Sequence, residues 1–308
     1  MITWTIGGGG LIGGAITRRL AQQPDSTTFE SPPICWHETN TAIDQIKESL
    51  TAFTAATAGQ PWAIIWAAGV ATVATGPAKV ESEFTTLQTL VTALKANPPK
   101  GNGVFFLVSS AGGVYAGSTG SPFTVQTPIK PLSAYGELKA RQEQLTLATL
   151  AGVCPLIIGR FSNVYGPGQN LGKLQGLISQ LAMATATRQP INIFVSLDTI
   201  RDYLFVDDAA DQAAFWITNA GSGSSIKLIA SGEPVALSQL IRTMQSVSKR
   251  KVPVALGSHP SSGHQVLDLR FIPSQMTESI TGARQPQHTP LPVGTKMVYQ
   301  DILTRVQL

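Results

Sequence analysis

The sequence has little charge, and acids are its scarcest charged residues. Charged residues make up 13% of the 308 residues, and the net charge of +4 reflects 18 acids against 22 lysines and arginines. A nucleic-acid-binding face would need basic residues that recur along one surface and alternate with aromatic residues. The one dense basic run, Lys249 to Lys251, is predicted to be the solvated end of a helix. We therefore expect no nucleic-acid partner.

Cysteine is almost absent, which excludes a scaffold held together by disulfides. Cys35 and Cys154 are far apart in sequence and each lies in an apolar run, so we expect two buried, reduced thiols. The histidines His259, His264 and His288 stand singly among Pro, Ser and Gln, without the spacing of zinc ligands. We expect a reducing compartment and no metal site.

The chain also lacks a long unbroken apolar run. Its longest apolar stretch, PWAIIWAAGVATVATGPA, is interrupted by glycine, threonine and proline before it could cross a bilayer as a plain helix. The first residues show no basic segment followed by an apolar core and a cleavage site, which is the pattern of a signal peptide. Apolar residues nevertheless make up 43% of the chain, enough for a large core. These features predict a cytoplasmic protein with no membrane partner.

What the chain does contain is a regular alternation of short β-rich runs and longer helical patterns. The predicted strands are Ile2 to Ile6, Ile34 to Trp36, Ala63 to Ala67, Val104 to Ser109 and Pro155 to Gly159. The predicted helices between them are Leu11 to Ala21, Thr41 to Ala58, Lys79 to Ala96 and Tyr135 to Ala151. This order is typical of an α/β fold with a doubly wound parallel sheet.

Six glycines lie within eight residues directly after the first predicted strand, in the run GGGGLIGG. A strand that ends in glycines and continues as a helix presents free N–H groups and the positive dipole end of that helix to a pyrophosphate. Gly7, Gly10 and Gly13 follow a G-x-x-G-x-x-G spacing rather than the G-x-G-x-x-G of many dehydrogenases. A tightly packed turn without a ligand is the alternative, and the missing Gly-Lys-Ser/Thr disfavours a P-loop. The run predicts a dinucleotide site that includes Leu11 and Ile12.

The residue at the end of the second strand separates NAD from NADP binding, because an acid there binds the adenosine ribose and an arginine accommodates a 2′-phosphate. With the second strand placed at Ile34 to Trp36, that position is His37, followed by Glu38. Neither an acid nor an arginine stands directly at the strand end. We expect NAD as the cofactor, and the sequence leaves NADP open.

The regular alternation lapses after about Tyr165. A longer loop is followed by a helix, short strands and a proline-rich tail. We expect residues 1–165 to form a dinucleotide-binding domain to which residues 200–230 return. Residues 166–199 and 231–308 are expected to form a smaller substrate-binding region that caps it.

The segment PLSAYGELKARQEQ carries candidate acid–base chemistry. Tyr135 and Lys139 lie four residues apart, so on a helix they share one face. A nearby ammonium stabilises a phenolate and brings a tyrosine toward the working range of a general acid or base. Ser109 and Ser110 end a predicted strand at the sheet edge where ligands bind, and either hydroxyl can bond the reacting oxygen. An exposed helix with an incidental tyrosine is the alternative for a lone Y-x-x-x-K.

Taken together, these elements resemble the extended short-chain dehydrogenase/reductase family, and within it the NAD-dependent sugar-nucleotide epimerase/dehydratase group. The resemblance implies a Rossmann-type fold with a smaller C-terminal region that caps the substrate. The resemblance covers nearly the whole chain. It includes Trp66 to Gly69, similar to an H-x-A-A stretch beside the cofactor, and the segments RFSNVYGPGQN and RDYLFVDDAAD. These three matches are long and specific.

The resemblance implies a role for each matching residue. Ser110, Tyr135 and Lys139 are expected to be catalytic, with Ser109 as the fallback for the serine. The expected cofactor contacts are Gly7, Gly10, Leu11, Ile12, Gly13, His37, Ala67, Ala68, Gly69, Tyr135 and Lys139. The expected substrate contacts are Ser109, Tyr115, Asn163 and Arg201. A guanidinium suits a sugar-nucleotide diphosphate because it bonds phosphate oxygens in a bidentate manner.

Two departures from the family pattern narrow the expected chemistry. The family's 4,6-dehydratases place an Asp-Glu pair directly after the hydroxyl residue, where this chain has Ala-Gly-Gly from Ala111 to Gly113, so dehydration is not expected. An asparagine common after the fourth-strand region is also missing, with Phe84 to Thr86 in its place.

We expect an enzyme that moves hydride between NAD and a ring carbon of a nucleotide-activated sugar, and specifically a C4 epimerase of the UDP-galactose 4-epimerase type. An NADPH-dependent reductase of keto sugars or other carbonyl compounds shares the same motifs. A non-catalytic nucleotide-sensing protein on the same fold is an alternative from another class. The resemblance also implies a homodimer built on the helices Lys79 to Ala96 and Tyr135 to Ala151.

Overall fold

The computed structural model describes residues 1–69, 77–172, 176–257, 266–275 and 288–306, with side chains described from residue 80 in the second range. The helices are α1 (Leu11–Ala21), α2 (Thr39–Thr57), α3 (Pro77–Ala96), α4 (Ala111–Val114), α5 (Ala134–Leu150), α6 (Leu177–Thr187), α7 (Val206–Thr218), α8 (Leu237–Ser248) and α9 (Leu291–Val306). The strands are β1 (Ile2–Ile6), β2 (Thr27–Thr28), β3 (Trp62–Trp66), β4 (Gly103–Ser110), β5 (Leu156–Phe161), β6 (Asn163–Tyr165), β7 (Ile191–Ile193), β8 (Ile200–Phe205), β9 (Ser224–Ile229), β10 (Pro234–Ala236), β11 (Val254–Leu256) and β12 (Asp268–Leu269).

A parallel sheet of six strands lies at the centre, in the order β2-β1-β3-β4-β5-β9. The chain passes from β2 on one side of β1 to β3 on the other side, so the strand order reverses at β1. Ligands of doubly wound sheets bind at such a reversal, outside the carboxyl ends of the strands. The sheet confirms the predicted α/β fold and places the glycine run at the reversal.

Helices cover both faces of this sheet. Apolar residues of α1 and α7 pack on one face, and apolar residues of α2, α3 and α5 pack on the other. Every residue of β3 and β5 is buried as a result. Burial on both faces explains why these strands are continuous apolar runs rather than alternating ones.

The predicted position of the second strand is wrong. Residues Ile34 to Trp36 form no strand, and the second strand is β2, earlier in the chain. The apolar side chains of this segment are partly buried and pack on the core from a loop instead: the Trp36 ring lies edge-on to Trp66, with centroids 6.2 Å apart. Two prolines precede the segment, and a proline cannot donate to a strand ladder. The other strands and helices predicted in the first half lie within two residues of their observed bounds.

The remaining elements form smaller sheets beside the carboxyl edge of the main sheet. Strands β10, β8 and β12 pair in that order, β6 also pairs with β8, and β7 pairs with β11. Helices α6, α8 and α9 pack on one another there. Strand β9, within the segment expected to return to the first domain, pairs with β5 in the main sheet.

Several single features of the sequence also have a place in the fold. Cys35 and Cys154 are free and half-buried thiols, and Lys249 ends α8 with φ +55. Within the described ranges, no helix combines the length and hydropathy needed to cross a bilayer. The same ranges hold no cluster of three or more His, Cys, Asp or Glu side chains able to bind a metal. His259 and His264 lie outside the described residues.

Candidate active site

The glycine turn connects β1 to α1 and packs against the segment that follows β3. Gly7 has φ +93, and a Cβ there would lie 2.4 Å from the backbone nitrogen of Ala68. A Cβ on Gly13 would lie 2.4 Å from the carbonyl oxygen of Gly7 and 3.0 Å from the Cβ of Ala67. The turn, α1 and the end of β3 therefore approach one another more closely than side chains allow. The cofactor contacts predicted on β1 and after β3 are brought together.

The N-terminus of α1 fits the pyrophosphate of a dinucleotide. Its N-cap, Gly10, is extended, and no side chain caps it within the described structure. A Cβ built on Gly9 would have no described atom within 4 Å, so the turn is open on its outer side. Amide groups of Leu11 and Ile12 begin the helix there, and uncapped first-turn amides attract an anion.

Glu30 is a candidate ribose-binding residue that sequence reasoning missed. The N–H of Phe29 donates to the carbonyl of Thr3 at 2.7 Å, which extends the β2 ladder up to Glu30, an exposed residue at the strand end. Its distance from the glycine turn matches the spacing of about 20 residues at which an acid binds the ribose. That spacing was the signal available in the sequence.

His37 does not occupy the position for which it was predicted. It is exposed and follows a loop of several residues after β2, next to Glu38, the N-cap of α2. The Glu38 carboxylate accepts a hydrogen bond from Thr41 at 3.0 Å. The strand placement that put His37 beside the ribose is wrong because the true strand ends before the two prolines.

Ser109 and Ser110 face opposite sides of β4, as neighbours on a strand do. The Ser109 hydroxyl is buried and donates to Oε1 of Glu143 at 2.6 Å. The Ser110 side chain is half-buried, and its oxygen accepts from the N–H of Gly113 at 3.2 Å as the N-cap of α4. Ser109 therefore faces α5, whereas Ser110 lies at the start of α4.

Two glycines bring Ser110 and Tyr135 together. A Cβ on Gly113 would lie 3.2 Å from the Tyr135 ring and 3.4 Å from the Cβ of Ser110. A Cβ on Gly136 would lie 2.4 Å from the carbonyl oxygen of Gly113. Ser133 caps α5 by accepting from the N–H of Gly136 at 3.1 Å, so Tyr135 stands in the first turn. The predicted serine and tyrosine therefore flank one contact between α4 and α5.

Lys139 lies one turn beyond Tyr135 and is buried. Its Nζ lies 5.8 Å from the centroid of the Tyr135 ring. The ammonium donates to Oε1 of Glu83 at 3.1 Å and to Oε1 of Gln142 at 3.0 Å. Burial alone lowers the pKa of Lys139, but the Glu83 carboxylate and the Tyr135 and Glu143 groups outweigh it, and the pKa is raised. The cation beside Tyr135 is thus maintained, although Glu83 was not predicted from the sequence.

A second buried ion pair lies next to this one. Arg160 donates to Glu143 through Nη2 at 2.6 Å and also donates to the hydroxyl of Tyr115. The Tyr115 hydroxyl donates in turn to the carbonyl of Thr124 at 2.9 Å, and burial raises the pKa of this phenol. Ser109 and Tyr115, both predicted to contact substrate, lie inside the protein in this network. Their inward position follows from strand alternation and from the aromatic packing of Tyr115.

Asn163 and Arg201 lie on neighbouring strands, β6 and β8, beyond the carboxyl edge of the main sheet. The Asn163 amide donates to the carbonyl of Asp202 at 2.8 Å. Arg201 is half-buried and donates to the carbonyl of Ile200 at 2.8 Å. Burial lowers the pKa of its guanidinium, against the attraction of Tyr203 and Asp268. The two predicted substrate contacts thus belong to one small sheet.

A model of the NAD dependent epimerase/dehydratase family matches residues 5–228, most of the chain. The chain belongs to this family. The match confirms the family predicted from the motifs, and its description names NAD, in agreement with the expected cofactor. The matched range includes the glycine turn, both serines, Tyr135, Lys139, Asn163 and Arg201.

Individual relatives in this family differ in their named reactions. A dTDP-4-dehydro-6-deoxyglucose reductase of Escherichia coli is 28% identical over 169 residues, covering 53% of this chain and 52% of the relative. A dTDP-L-rhamnose 4-epimerase of Burkholderia thailandensis is 27% identical over 157 residues, covering 50% and 42%. The chain spans about half the length of the curated relatives it matches.

A solved structure extends the likeness to the whole fold. The UDP-glucose 4-epimerase of Thermotoga maritima, determined with UDP-glucose, superimposes with a TM-score of 0.78 at 18% identity. The superposition covers 100% of this chain and 99% of that one. At this identity the likeness concerns the fold, and it confirms the Rossmann-type architecture.

Proposed function

We propose that this protein is an NAD-dependent enzyme that moves hydride to and from a ring carbon of a nucleotide-activated sugar, and that it epimerises C4. The observation that carries the proposal is the approach of Ser110 and Tyr135 at the Gly113 contact, with Lys139 one turn on and the glycine turn at the reversal of strand order. Family membership and a relative named as a nucleotide-sugar 4-epimerase support it.

Each side chain has a distinct task in this proposal. Bound NAD supplies the acceptor and donor of hydride. Tyr135 takes the proton of the sugar hydroxyl as the carbon is oxidised and returns it when the carbon is reduced. Ser110 donates a hydrogen bond to the sugar oxygen, and the Lys139 ammonium supplies a positive charge 5.8 Å from the centroid of the Tyr135 ring. Epimerisation follows if the keto sugar turns before hydride returns to its other face.

Glu30 supports NAD rather than NADP in this proposal. A carboxylate at the end of β2 accepts hydrogen bonds from ribose hydroxyls, and it repels a 2′-phosphate. An arginine nearby could instead bind the 2′-phosphate of NADP. Arg18 and Arg19 lie on α1, but Arg19 is paired with Asp211 of α7. We therefore propose NAD, held by the α1 N-terminus, Gly7 and the segment after β3.

A reductase of keto-sugar nucleotides is the second candidate function. The similarity to the Escherichia coli reductase favours it, and it would use the same serine, tyrosine and lysine. The two functions differ in the fate of the cofactor. An epimerase keeps its dinucleotide through each cycle, whereas a reductase consumes a reduced one.

The first experiment is mass spectrometry of the nucleotide released when freshly purified protein is denatured. Near-stoichiometric NAD, together with interconversion of UDP-glucose and UDP-galactose or of dTDP-sugar epimers without added cofactor, is the result expected of the epimerase. Release of no dinucleotide, with oxidation of added NADPH by a dTDP-keto sugar, would move the assignment to the reductase. Absence of both activities and of dinucleotide binding would reject the proposal.

We also propose a homodimer built on α3 and α5, and a cytoplasmic location. The two helices pack side by side, and each has an exposed face that a second copy could cover. The free thiols of Cys35 and Cys154 suit a reducing compartment. Light scattering on the purified protein measures the mass in solution, and a monomer would contradict the dimer.

The two neighbouring serines give a matched test of the site. Ser110→Ala is expected to lower kcat by about 10- to 1,000-fold, because it removes a donor to the reacting oxygen. Ser109→Ala is expected to change kcat little and to lower the free energy of unfolding by about 1 kcal/mol, because it removes a buried hydrogen bond to Glu143. Steady-state kinetics and chemical unfolding of both variants decide the matter. The reverse pattern would make Ser109 the catalytic serine.

A further inference from the structure

The side chains of Lys139, Gln142 and Glu83 form a closed triangle of hydrogen bonds. Besides its bond to Glu83, Lys139 donates to Gln142, and Gln142 donates back to Oε1 of Glu83 at 3.0 Å. Relative exposure is 6% for Glu83, 6% for Lys139 and 0% for Gln142. A buried carboxylate and a buried ammonium at this distance are strongly coupled, because little water screens them.

Glu83 also lies close to the segment that follows β3. A Cβ built on Gly69 would lie 3.3 Å from one Glu83 carboxylate oxygen and 3.5 Å from the other. The carboxylate thus stands between the Ala67 to Gly69 segment, proposed to contact the cofactor, and the Tyr135–Lys139 pair. It belongs to α3, 56 residues before Lys139 in sequence.

We propose that Glu83 is a positioning residue, which holds the Lys139 ammonium charged and fixed between Tyr135 and the bound dinucleotide. This inference rests on the proposed function, because it takes Lys139 as the cation that serves both Tyr135 and the cofactor ribose. In this proposal Glu83 acts on the reaction through Lys139 rather than by contact with the substrate.

The charged groups around Lys139 set the direction of the expected effect. Glu83 approaches from α3, Tyr135 and Glu143 from α5 itself, and the Glu143 charge is matched by Arg160 from β5. Among the causes that raise the pKa of Lys139, Glu83 is the largest. Without its carboxylate, burial acts against an ammonium whose remaining anionic neighbour, Glu143, is already paired. The ammonium should then lose its proton at a lower pH.

The test is the pH dependence of dinucleotide binding, followed by the fluorescence of NADH, which is stable in alkali. In Glu83→Gln the dissociation constant is expected to rise by about tenfold or more between pH 7.5 and 10, since a hydrogen bond from a charged donor is lost over that interval. The wild-type constant is expected to change by less than about threefold, because its lysine remains charged. A Glu83→Gln profile parallel to that of the wild type would overturn the proposal.

Glu81→Gln is the matched control. It removes the same charge two residues earlier on α3, where the carboxylate is exposed and binds Arg141 instead. Its profile is expected to follow the wild type. If the control variant steepens as much as Glu83→Gln, general surface charge and not the buried pair is responsible, and the proposal fails.

A second measurement needs no cofactor. A lysine whose pKa is raised in the folded state stabilises the protein until pH rises through that raised pKa. A lysine whose pKa is lowered in the folded state destabilises the protein, and this destabilisation decreases as pH rises from the lowered pKa toward the pKa of the unfolded state. The destabilisation of Glu83→Gln relative to wild type should therefore shrink between pH 7.5 and 10, as measured by urea unfolding. A constant difference would contradict the coupling. Failure of wild-type protein to bind NADH would reject the cofactor site, while this comparison would still test Glu83.

Glu83→Asp covers the case in which Glu83→Gln does not fold. The shorter side chain keeps the charge but withdraws it from Nζ, so the NADH dissociation constant is expected to rise with pH by about threefold more than that of the wild type, and by less than that of Glu83→Gln. A profile identical to wild type would show that the carboxylate's distance to Lys139 has no effect and would overturn the proposal.

Discussion

Tyr135→Phe is expected to lower turnover by about 100- to 10,000-fold while leaving dinucleotide retention and thermal stability close to wild type. The variant removes only the hydroxyl that exchanges a proton with the sugar. The ring keeps its packing against Val80, Phe84 and Leu138, and Lys139 keeps its bonds to Glu83 and Gln142. Single-turnover measurements of enzyme-bound NADH formation on adding the sugar nucleotide would report the step directly.

Tyr299→Phe is the control for this loss. Tyr299 is buried in α9, which packs on α6, α8 and β8, so the same chemical change there should leave turnover unchanged. Turnover of Tyr135→Phe at the wild-type rate would remove the tyrosine from the mechanism, whichever sugar is the substrate. Equal losses in both variants would indicate an effect on folding and not on proton transfer.

Gly7→Ala is expected to abolish dinucleotide retention and to lower the free energy of unfolding by about 2–4 kcal/mol. The substitution has two costs. An alanine is strained at φ +93, and its Cβ would lie 2.4 Å from the backbone nitrogen of Ala68, which belongs to the segment after β3 and cannot move aside as a flexible side chain could. Urea unfolding and mass spectrometry of released nucleotide measure the two effects.

Gly9→Ala separates this steric argument from a general intolerance of the turn. Gly9 lies two residues further on and has no positive φ, and a Cβ added there would meet no described atom within 4 Å. Its unfolding free energy is expected to stay within about 0.5 kcal/mol of wild type. Equal stability of Gly7→Ala and wild type would show that β1 and β3 can separate, contrary to the contact seen here.

The correct part of the sequence-based prediction concerns features with local causes. The first strand and the helix after it have the predicted bounds, because a strand, a glycine turn and an amphipathic helix are each encoded in a short window. Tyr135 and Lys139 share a face because of helical periodicity alone. The misplaced second strand shows the limit of such windows: an apolar run does not distinguish a strand from a loop whose side chains pack on a core.

The two acidic candidates depend on the tertiary structure to different degrees. The spacing of Glu30 from the glycine turn is visible in the sequence, but its place at a strand end depends on β2, an edge strand of two residues. Glu83 could not be connected with Lys139, since 56 residues separate them and only the packing of α3 on α5 brings them within 3.1 Å. A fully buried carboxylate is also rare, so the residue type gave no reason to expect Glu83 in the protein interior.

The sequence by itself determined the α/β class, the glycine turn after the first strand and the shared helix face of Tyr135 and Lys139, because each depends on residue type at fixed short spacing. Its resemblance to known members indicated the family. Only the tertiary structure placed Ser109 and Tyr115 in a buried network, Ser110 and Tyr135 on either side of Gly113, and Glu83 beside Lys139. These outcomes depend on how the helices pack on the sheet and on which side chains are buried against one another. Such long-range packing has no signature in a short stretch of chain.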